Sequence, residues 1–472
     1  MATRTSKHLP DFGGKRVTVM GLGLLGGGLA ATRFFAECGA TVTATDLRSE
    51  KQLLSSINKL HDLDIAYTLG EHREEDFVNA DVIVVNPGVK EDSPFLVLAS
   101  KKGVALETEV NLFFKLCPAR ILGVTGSVGK TTTTSMIGHV LKSSGRKTWV
   151  GGNIGQSLLP QIREIEPGDT VVLELSSFQL RRLDWIKVAP AISVVTNFHP
   201  NHLDNHPTIE DYARCKKHII SNQTAGDIAV LNADDPVIRQ WSNDCPGRVQ
   251  YFGLRNESLE GAFLSDKELV LRLGKQEQRI CSVSDLQVPG EHNVANALTC
   301  ASACAAAGIS PKKIGKALST FEGVEHRLEF IGEWCGVRYF NDSKATTPSS
   351  TIRALESFDR RVILIAGGSS KDLTYNDFAK VAARKTRAIF LIGETAGQIA
   401  SAVNSLRTEH LPLVKTFPSL ETAVEASYRT AKRGDIVLLS PTTASFDMFD
   451  NFEDRGRQFK KCVIEINSCG VN

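Results

Sequence analysis

The strongest constraint on the fold is a rhythm. Short apolar runs that end in small or polar residues recur along the 472-residue chain: RVTVMG at 16–21, TVTATD at 41–46, DVIVVNPG at 81–88, ARILGVTG at 119–126, TVVLELSS at 170–177, AISVVTN at 191–197, DIAVLNADD at 227–235, RVILIAGG at 361–368, AIFLIGE at 388–394 and DIVLLSP at 435–441. Longer stretches with helical patterning lie between them. Strands of this kind alternating with helices form parallel βαβ units, so the fold class is α/β. A chain this long exceeds one core. The runs fall into three groups: a Rossmann-like N-terminal domain over 1–108, a central P-loop ATPase-type domain with a mainly parallel sheet over 109–325, and a Rossmann-like C-terminal domain over 326–472. Ligands of open α/β sheets bind beyond the carboxyl ends of the strands. The chemistry is therefore sought where each run ends.

Two of those ends carry glycine patterns. Gly21, Gly23 and Gly26 follow the first run, and Asp46 closes the second. This is the dinucleotide fingerprint: a tight turn, a close approach to a pyrophosphate at a helix N-terminus, and an acid for a ribose hydroxyl. NAD has a pyrophosphate, and so has a UDP-sugar; a glycine turn that binds nothing is the third reading. The fourth run leads into GVTGSVGKTTTT at 123–134. Gly129, Lys130 and Thr131 match the end of the Walker pattern, while Val124 stands where the strict pattern has glycine. Gly126 and Gly129 still supply the bends, Lys130 a charge for the outer phosphates, and Thr131 or Thr132 a hydroxyl for Mg²⁺.

Other residues are read with less support from pattern alone. Glu174 ends the apolar run VVLELSS, where a carboxylate is costly unless paired or bound to metal. The loop TNFHPNHLDNHP at 196–207 holds His199, His202, Asp204 and His206. Its spacing fits no zinc pattern, and for each histidine taken singly a surface position is the expectation. In the following helix Thr208 and Asp211 resemble a capping box. Lys216 and Lys217 read as a solvated face, and nothing in the pattern singles out Lys216.

Bulk properties exclude several classes. Net charge is +2, so no nucleic-acid or anionic-membrane footprint exists. The ten cysteines contain no C-x-x-C pair and read as free thiols of a reducing compartment. MATRTSKHLP has no apolar core of a secretory signal, and no apolar run is long enough to span a bilayer. A cytoplasmic, monomeric enzyme is the expectation.

In combination, the stretches GVTGSVGKTT, LELSSFQL, NFHPNHLDNH, YARCK, GEHNVANA, EHRLE and NDSKATTP resemble the Mur ligases, ATP-dependent amide-bond ligases of peptidoglycan precursor synthesis. The likeness covers nearly the whole chain. Residues 125–131 meet that family's T-G-x-x-G-K-[ST] loop. LSPTTASFDMFDNFEDRGRQF at 439–459 is similar to the branch that adds D-glutamate, and the D-N-P-R signature of diamino-acid-adding relatives is absent. The resemblance implies ATP, Mg²⁺, UDP-N-acetylmuramoyl-L-alanine and D-glutamate as ligands. It places the UDP-substrate on Gly21, Gly23, Leu25, Asp46, Arg48, Asn86, Gly88, Asn153 and Ser176. ATP falls to Gly126, Gly129, Lys130, Thr131, Thr132, Asn296, Arg327 and Asp342. Metal falls to Thr131, Glu174, His202 and Lys216, the last as a carbamate. D-glutamate falls to Thr346, Lys371, Ser445 and Phe452. Lys130, His202, Lys216 and Lys344 are the implied catalytic set. A related ligase for another amino acid, or an NAD-dependent dehydrogenase, remains the alternative. The dehydrogenase leaves the phosphate loop idle.

Overall fold

The computed structural model describes residues 10–468 apart from 24–25, 155–156, 200–205, 256–259, 289, 370–372 and 408–410. The chain forms two compact units, residues 1–285 with 294–319 and residues 286–293 with 320–472.

The first unit holds two sheets. β1 (Arg16–Met20), β2 (Thr41–Asp46), β3 (Ile65–Leu69), β4 (Val82–Val85) and β5 (Ala105–Glu107) form an all-parallel sheet in the order β3-β2-β1-β4-β5. The order reverses at β1, so the glycine turn after it opens at a switch point. β6 (Arg120–Thr125), β7 (Thr148–Gly152), β8 (Thr170–Glu174), β9 (Ile192–Val195), β10 (Ile228–Asn232), β11 (Arg248–Gly253), β12 (Gly261–Ser265), β13 (Glu268–Leu273) and β14 (Gln276–Ser282) form the second sheet, ordered β14-β13-β12-β11-β10-β9-β6-β8-β7. One apolar cluster runs from Val17, Phe34 and Phe35 beside the first sheet, through Leu112 and Phe113, to Val171 and Leu173 of the second. Shared burial of that size makes one compact unit of what the sequence reads as two groups.

The second unit is built on β15 (Glu329–Trp334), β16 (Val337–Asn341), β17 (Val362–Gly367), β18 (Thr386–Ile392), β19 (Leu413–Thr416) and β20 (Ile436–Leu439), ordered β15-β16-β20-β17-β18-β19. Its central strands are buried throughout and separate two apolar layers.

All ten apolar runs hold a strand, and these strands pair in parallel in all three sheets. The departures are antiparallel: β12 with β13, β13 with β14, and β15 with β16. Each is joined by a turn of two residues, with Asp266 and Lys267, Gly274, or Cys335 and Gly336 at positive φ. A two-residue turn can only fold a strand back on itself. Among the described residues no helix is long and apolar enough to cross a membrane.

Candidate active site

The phosphate loop lies between β6 and the Lys130–Ser143 helix. Gly126 has φ 144°, and a Cβ on it would stand 1.9 Å from Thr196 Oγ1. Gly129 has φ 83°, and its Cβ would meet Asn296 Oδ1 at 2.6 Å. Only glycine fits either position, so the loop keeps its bends although Val124 departs from the strict pattern. The segment after β9 clamps the loop from one side. Val128 N donates to Asn197 Oδ1 (2.8 Å), Thr196 Oγ1 donates to Val128 O (2.6 Å), and Ser127 N donates to Asn197 O (2.9 Å). Lys130 Nζ donates to the loop carbonyls of Gly126 (3.0 Å) and Ser127 (3.1 Å). Thr132 is buried in the first helical turn, and Thr133 Oγ1 donates to Asn296 Oδ1 (3.2 Å).

Two buried charges converge on this loop. Glu174, at the end of β8, accepts from Thr131 Oγ1 (2.8 Å) and from Asn153 Nδ2 (2.8 Å). Lys216, 1% exposed, donates from Nζ to Gly126 O (2.8 Å) and lies 4.7 Å from the Tyr212 ring centroid. Burial pulls its amine well below the ordinary lysine value, and the charge of Lys130 adds to the effect. The expectation of a solvated Lys216 is corrected here. Tyr212, Cys215, Lys216, Ile219 and Ile220 form the buried stripe of the Ile209–Ser221 helix. Ser176 caps the Ser177–Leu183 helix, accepting from Gln179 N (3.3 Å).

The glycine turn after β1 forms a second cluster in the same unit. Gly21, Gly23 and Gly26 all have positive φ. A Cβ on Gly28 would overlap Gly21 O at 2.0 Å, so the Gly27–Glu37 helix starts hard against the turn. Asp46 Oδ2 accepts from Gly23 N (3.0 Å) and its Oδ1 from Arg48 N (2.9 Å), so this carboxylate shapes the turn itself. Asn86 Nδ2 donates to Gly21 O (3.2 Å), and Gly88 N donates to Asn86 Oδ1 (3.3 Å). A cavity of about 370 Å³ lies between residues 87–92 and Phe178, Arg181, Arg182 and His206. Leu25, His202 and Lys371 lie outside the described residues.

In the second unit Asp342 is buried, accepting from Ser440 Oγ (2.8 Å) and Leu328 N (3.2 Å), with the charges of Arg327 and Arg353 nearby. Burial raises its carboxyl to about 7, against those favourable contacts. The folded chain thus keeps a proton that the unfolded chain releases near pH 4. Stability from this group is greatest at or below pH 4, falls as pH rises, and is fully lost above about pH 7. Urea unfolding at pH 5 and pH 8 is expected to show a larger loss for the wild type than for Asp342→Asn. Equal losses would mean that Asp342 ionises normally when folded. Lys344 Nζ lies 5.4 Å from the Phe452 ring centroid, and Lys344 O accepts from Thr346 N (2.9 Å). Ser445 is buried at the base of the neighbouring loop.

Sequence reasoning missed the residues that hold these loops. Arg455 is fully buried and donates to Ser343 Oγ (3.0 Å), Ser343 O (2.9 Å), Ala444 O (3.2 Å) and Thr443 O (3.2 Å). It thereby ties the Lys344 loop to the Ser445 loop. Its signal was position: Arg455, Phe459, Val463 and Asn467 recur every fourth residue on one helical face. The surface expectation holds for His199 and fails for His206, which is buried. Only half of the expected capping box forms. Thr208 Oγ1 accepts from Asp211 N (3.1 Å), but the Asp211 carboxylate turns to His206 and Arg181. His206, Asp211 and Cys215 converge as metal donors would, yet the Arg181 guanidinium lies among them, 3.1 Å from Cys215 Sγ and 3.0 Å from His206 Nδ1.

Comparison with known proteins finds one family along nearly the whole chain. Residues 15–107 match the family model described as Mur ligase MurD-like, N-terminal domain. Residues 124–305 match the Mur ligase middle domain, and residues 326–443 the Mur ligase, glutamate ligase domain. The chain is 41% identical to the UDP-N-acetylmuramoylalanine--D-glutamate ligase of Acetivibrio thermocellus over 99% of this chain and all of that one. It is 41% identical to the protein of the same name from Roseiflexus sp. (strain RS-1), covering 96% of this chain and 99% of the relative. Its fold is similar to that of UDP-N-acetylmuramate-alanine ligase from Thermotoga maritima, with TM-score 0.62 at 21% identity over 96% of this chain and all of that one. The chain belongs to the Mur ligase family.

Proposed function

We propose that the protein is an ATP-dependent ligase that adds D-glutamate to UDP-N-acetylmuramoyl-L-alanine in peptidoglycan precursor synthesis. The observation that carries the ligase chemistry is a phosphate loop contacted by Glu174 at Thr131 and by the buried Lys216 at Gly126. The choice of D-glutamate rests on the relatives named above, which match end to end.

A carboxylate is a poor acyl donor because its leaving group would be oxide. Attack of the L-alanyl carboxylate on the γ-phosphorus of ATP releases ADP and gives an acyl phosphate. The amine of D-glutamate then adds to the acyl carbon, and phosphate and a proton leave. Positioning and charge neutralisation account for such catalysis. Lys130, the turn at Gly126 and Gly129 and the hydroxyls of Thr131 and Thr132 hold the triphosphate, with Asn296, Arg327 and Asp342 on the nucleoside. Gly21, Gly23, Leu25, Asp46, Arg48, Asn86 and Gly88 receive the UDP end, and Asn153 and Ser176 the muramoyl-alanyl end. Thr346, Lys371, Ser445 and Phe452 receive the acceptor, with Lys344 beside the reacting groups.

The residues around Glu174 fit Mg²⁺: its carboxylate and the Thr131 hydroxyl beside it are the hard oxygen ligands such a cation takes. Glu174, Thr131, His202 and a carbamylated Lys216 would hold the ion, which neutralises phosphate charge when bound. Burial favours the neutral amine of Lys216, the form that adds CO₂ with loss of a proton.

Phosphate release from ATP with UDP-N-acetylmuramoyl-L-alanine and a panel of amino acids tests the assignment. D-glutamate alone is expected to support turnover. Activity with L-glutamate, L-lysine or diaminopimelate in its place sinks it and favours a related ligase.

A further inference from the structure

The segments that carry Glu174 and Lys216 are fastened together by His206 and Arg181, which, among the described residues, have hydrogen bonds to neither of the two. His206 is buried, with Nε2 3.0 Å from Ser177 Oγ and Nδ1 2.9 Å from Asp211 Oδ2. Its ring stacks on Phe178 at 5.1 Å between centroids and meets the edge of Tyr212 at 5.0 Å. Arg181 braces the same point. Its NH2 lies 3.0 Å from His206 Nδ1 and bonds the Asp211 carboxylate, and its Nε donates to Cys215 Sγ (3.1 Å).

Each contact joins two chain segments. Ser177, Phe178 and Arg181 belong to the Ser177–Leu183 helix, which begins just past Glu174. Asp211, Tyr212 and Cys215 belong to the Ile209–Ser221 helix, and Cys215 directly precedes Lys216. Ser177, His206 and Asp211 have the order of a hydrolase relay, but Ser177 is buried and Arg181 faces the imidazole nitrogen that faces Asp211. The arrangement suits holding, not nucleophilic attack.

We propose that His206, braced by Arg181, is a positioning residue for the ligase reaction. It locks the Glu174 segment to the Lys216 helix and so sets both buried groups against the phosphate loop, one at Thr131 and the other at Gly126. The proposal rests on the reading of Glu174 and Lys216 as site groups. Residues that orient ligand-bearing elements without touching the ligand commonly change metal affinity or activity by about 10–100-fold when removed.

The test compares the full-length wild type with His206→Phe, which keeps the stacking but removes both polar contacts, and with His206→Gln, which keeps a donor and an acceptor. Three quantities are read: kcat for D-glutamate-dependent phosphate release, the Mg²⁺ concentration for half-maximal rate, and Mg²⁺-dependent binding of a non-hydrolysable ATP analogue by calorimetry. His206→Phe is expected to lower kcat and raise the Mg²⁺ requirement by about tenfold each, with KM for D-glutamate unchanged and His206→Gln close to the wild type. Wild-type behaviour of His206→Phe overturns the proposal, as does equal impairment of both variants. Should His206→Phe fail to fold, Arg181→Lys, which loses the planar fork, is expected to raise the Mg²⁺ requirement in the same way; no change overturns the proposal. If the wild type releases no phosphate with D-glutamate, the functional assignment falls. Analogue binding then still decides the positioning role, and an unchanged Mg²⁺ dependence in His206→Phe counts against it.

Discussion

Lys130→Ala is expected to lower D-glutamate-dependent phosphate release by about 1,000-fold while the chain stays folded. Lys130 is half-buried and its ammonium is held over the loop by the carbonyls of Gly126 and Ser127. That position suits a group that meets the outer phosphates as charge moves on to the leaving ADP. A charge-assisted contact that strengthens in the transition state acts on kcat more than on KM. Lys130→Arg is expected to recover little, because a planar fork does not replace a compact point charge in a tight loop. The fold should survive, since Lys130 is only half-buried and the loop backbone is held by Asn197 and Thr196. Steady-state phosphate release and thermal unfolding of the same samples check both halves. A kcat loss below about tenfold would mean that Lys130 does not contact the transferring group.

Gly126→Ala is expected to cost about 3 kcal/mol of stability and to abolish turnover. Two causes add. The backbone at φ 144° is one that a side chain rarely adopts, and the new Cβ would stand 1.9 Å from Thr196 Oγ1 and 3.2 Å from Asn197 N. The loop must then leave the Thr196–Asn197 clamp, breaking bonds that hold Ser127 and Val128. The Gly126 carbonyl moves with it, and that carbonyl is the acceptor for both Lys130 and Lys216. Adding Thr196→Ala removes the nearest overlap, so the double variant is expected to recover part of the stability but little activity. A urea midpoint for Gly126→Ala equal to that of the wild type would show that the loop is not held against Thr196.

Strands and glycine turns were legible because their causes are local. A buried parallel strand writes itself as a continuous apolar run, and a left-handed turn writes itself as glycine. Gly126 and Gly129 could be chosen over the missing glycine at Val124 on bending alone, and the backbone angles at both positions explain why. Glu174 was legible for a related reason, since a carboxylate ending an apolar strand must be compensated. The antiparallel hairpins at 261–282 and 329–341 were not, because none of their turns is the Asn-Gly or Asp-Gly pair that marks a two-residue reversal most strongly.

Charged residues mark the other limit. Lys216 and Lys217 are neighbours on one helix, and composition treats them alike. The structure buries the first against Gly126, 90 residues away, and pairs the second with Asp244. In the folded helix Lys216 lies on the buried stripe with Tyr212 and Ile219, where the sequence pattern alone reads both lysines as a solvated face. Arg455 repeats the case in the second unit, and His206 had not even a period to betray it. The sequence by itself determined the α/β class, the phosphate loop and the family resemblance, because local backbone chemistry and ordered motifs survive without the fold. Only the tertiary structure decided which charges go inside and what they meet: periodicity names the face of a helix that turns inward, while the carbonyl, carboxylate or ring waiting opposite comes from a distant part of the chain.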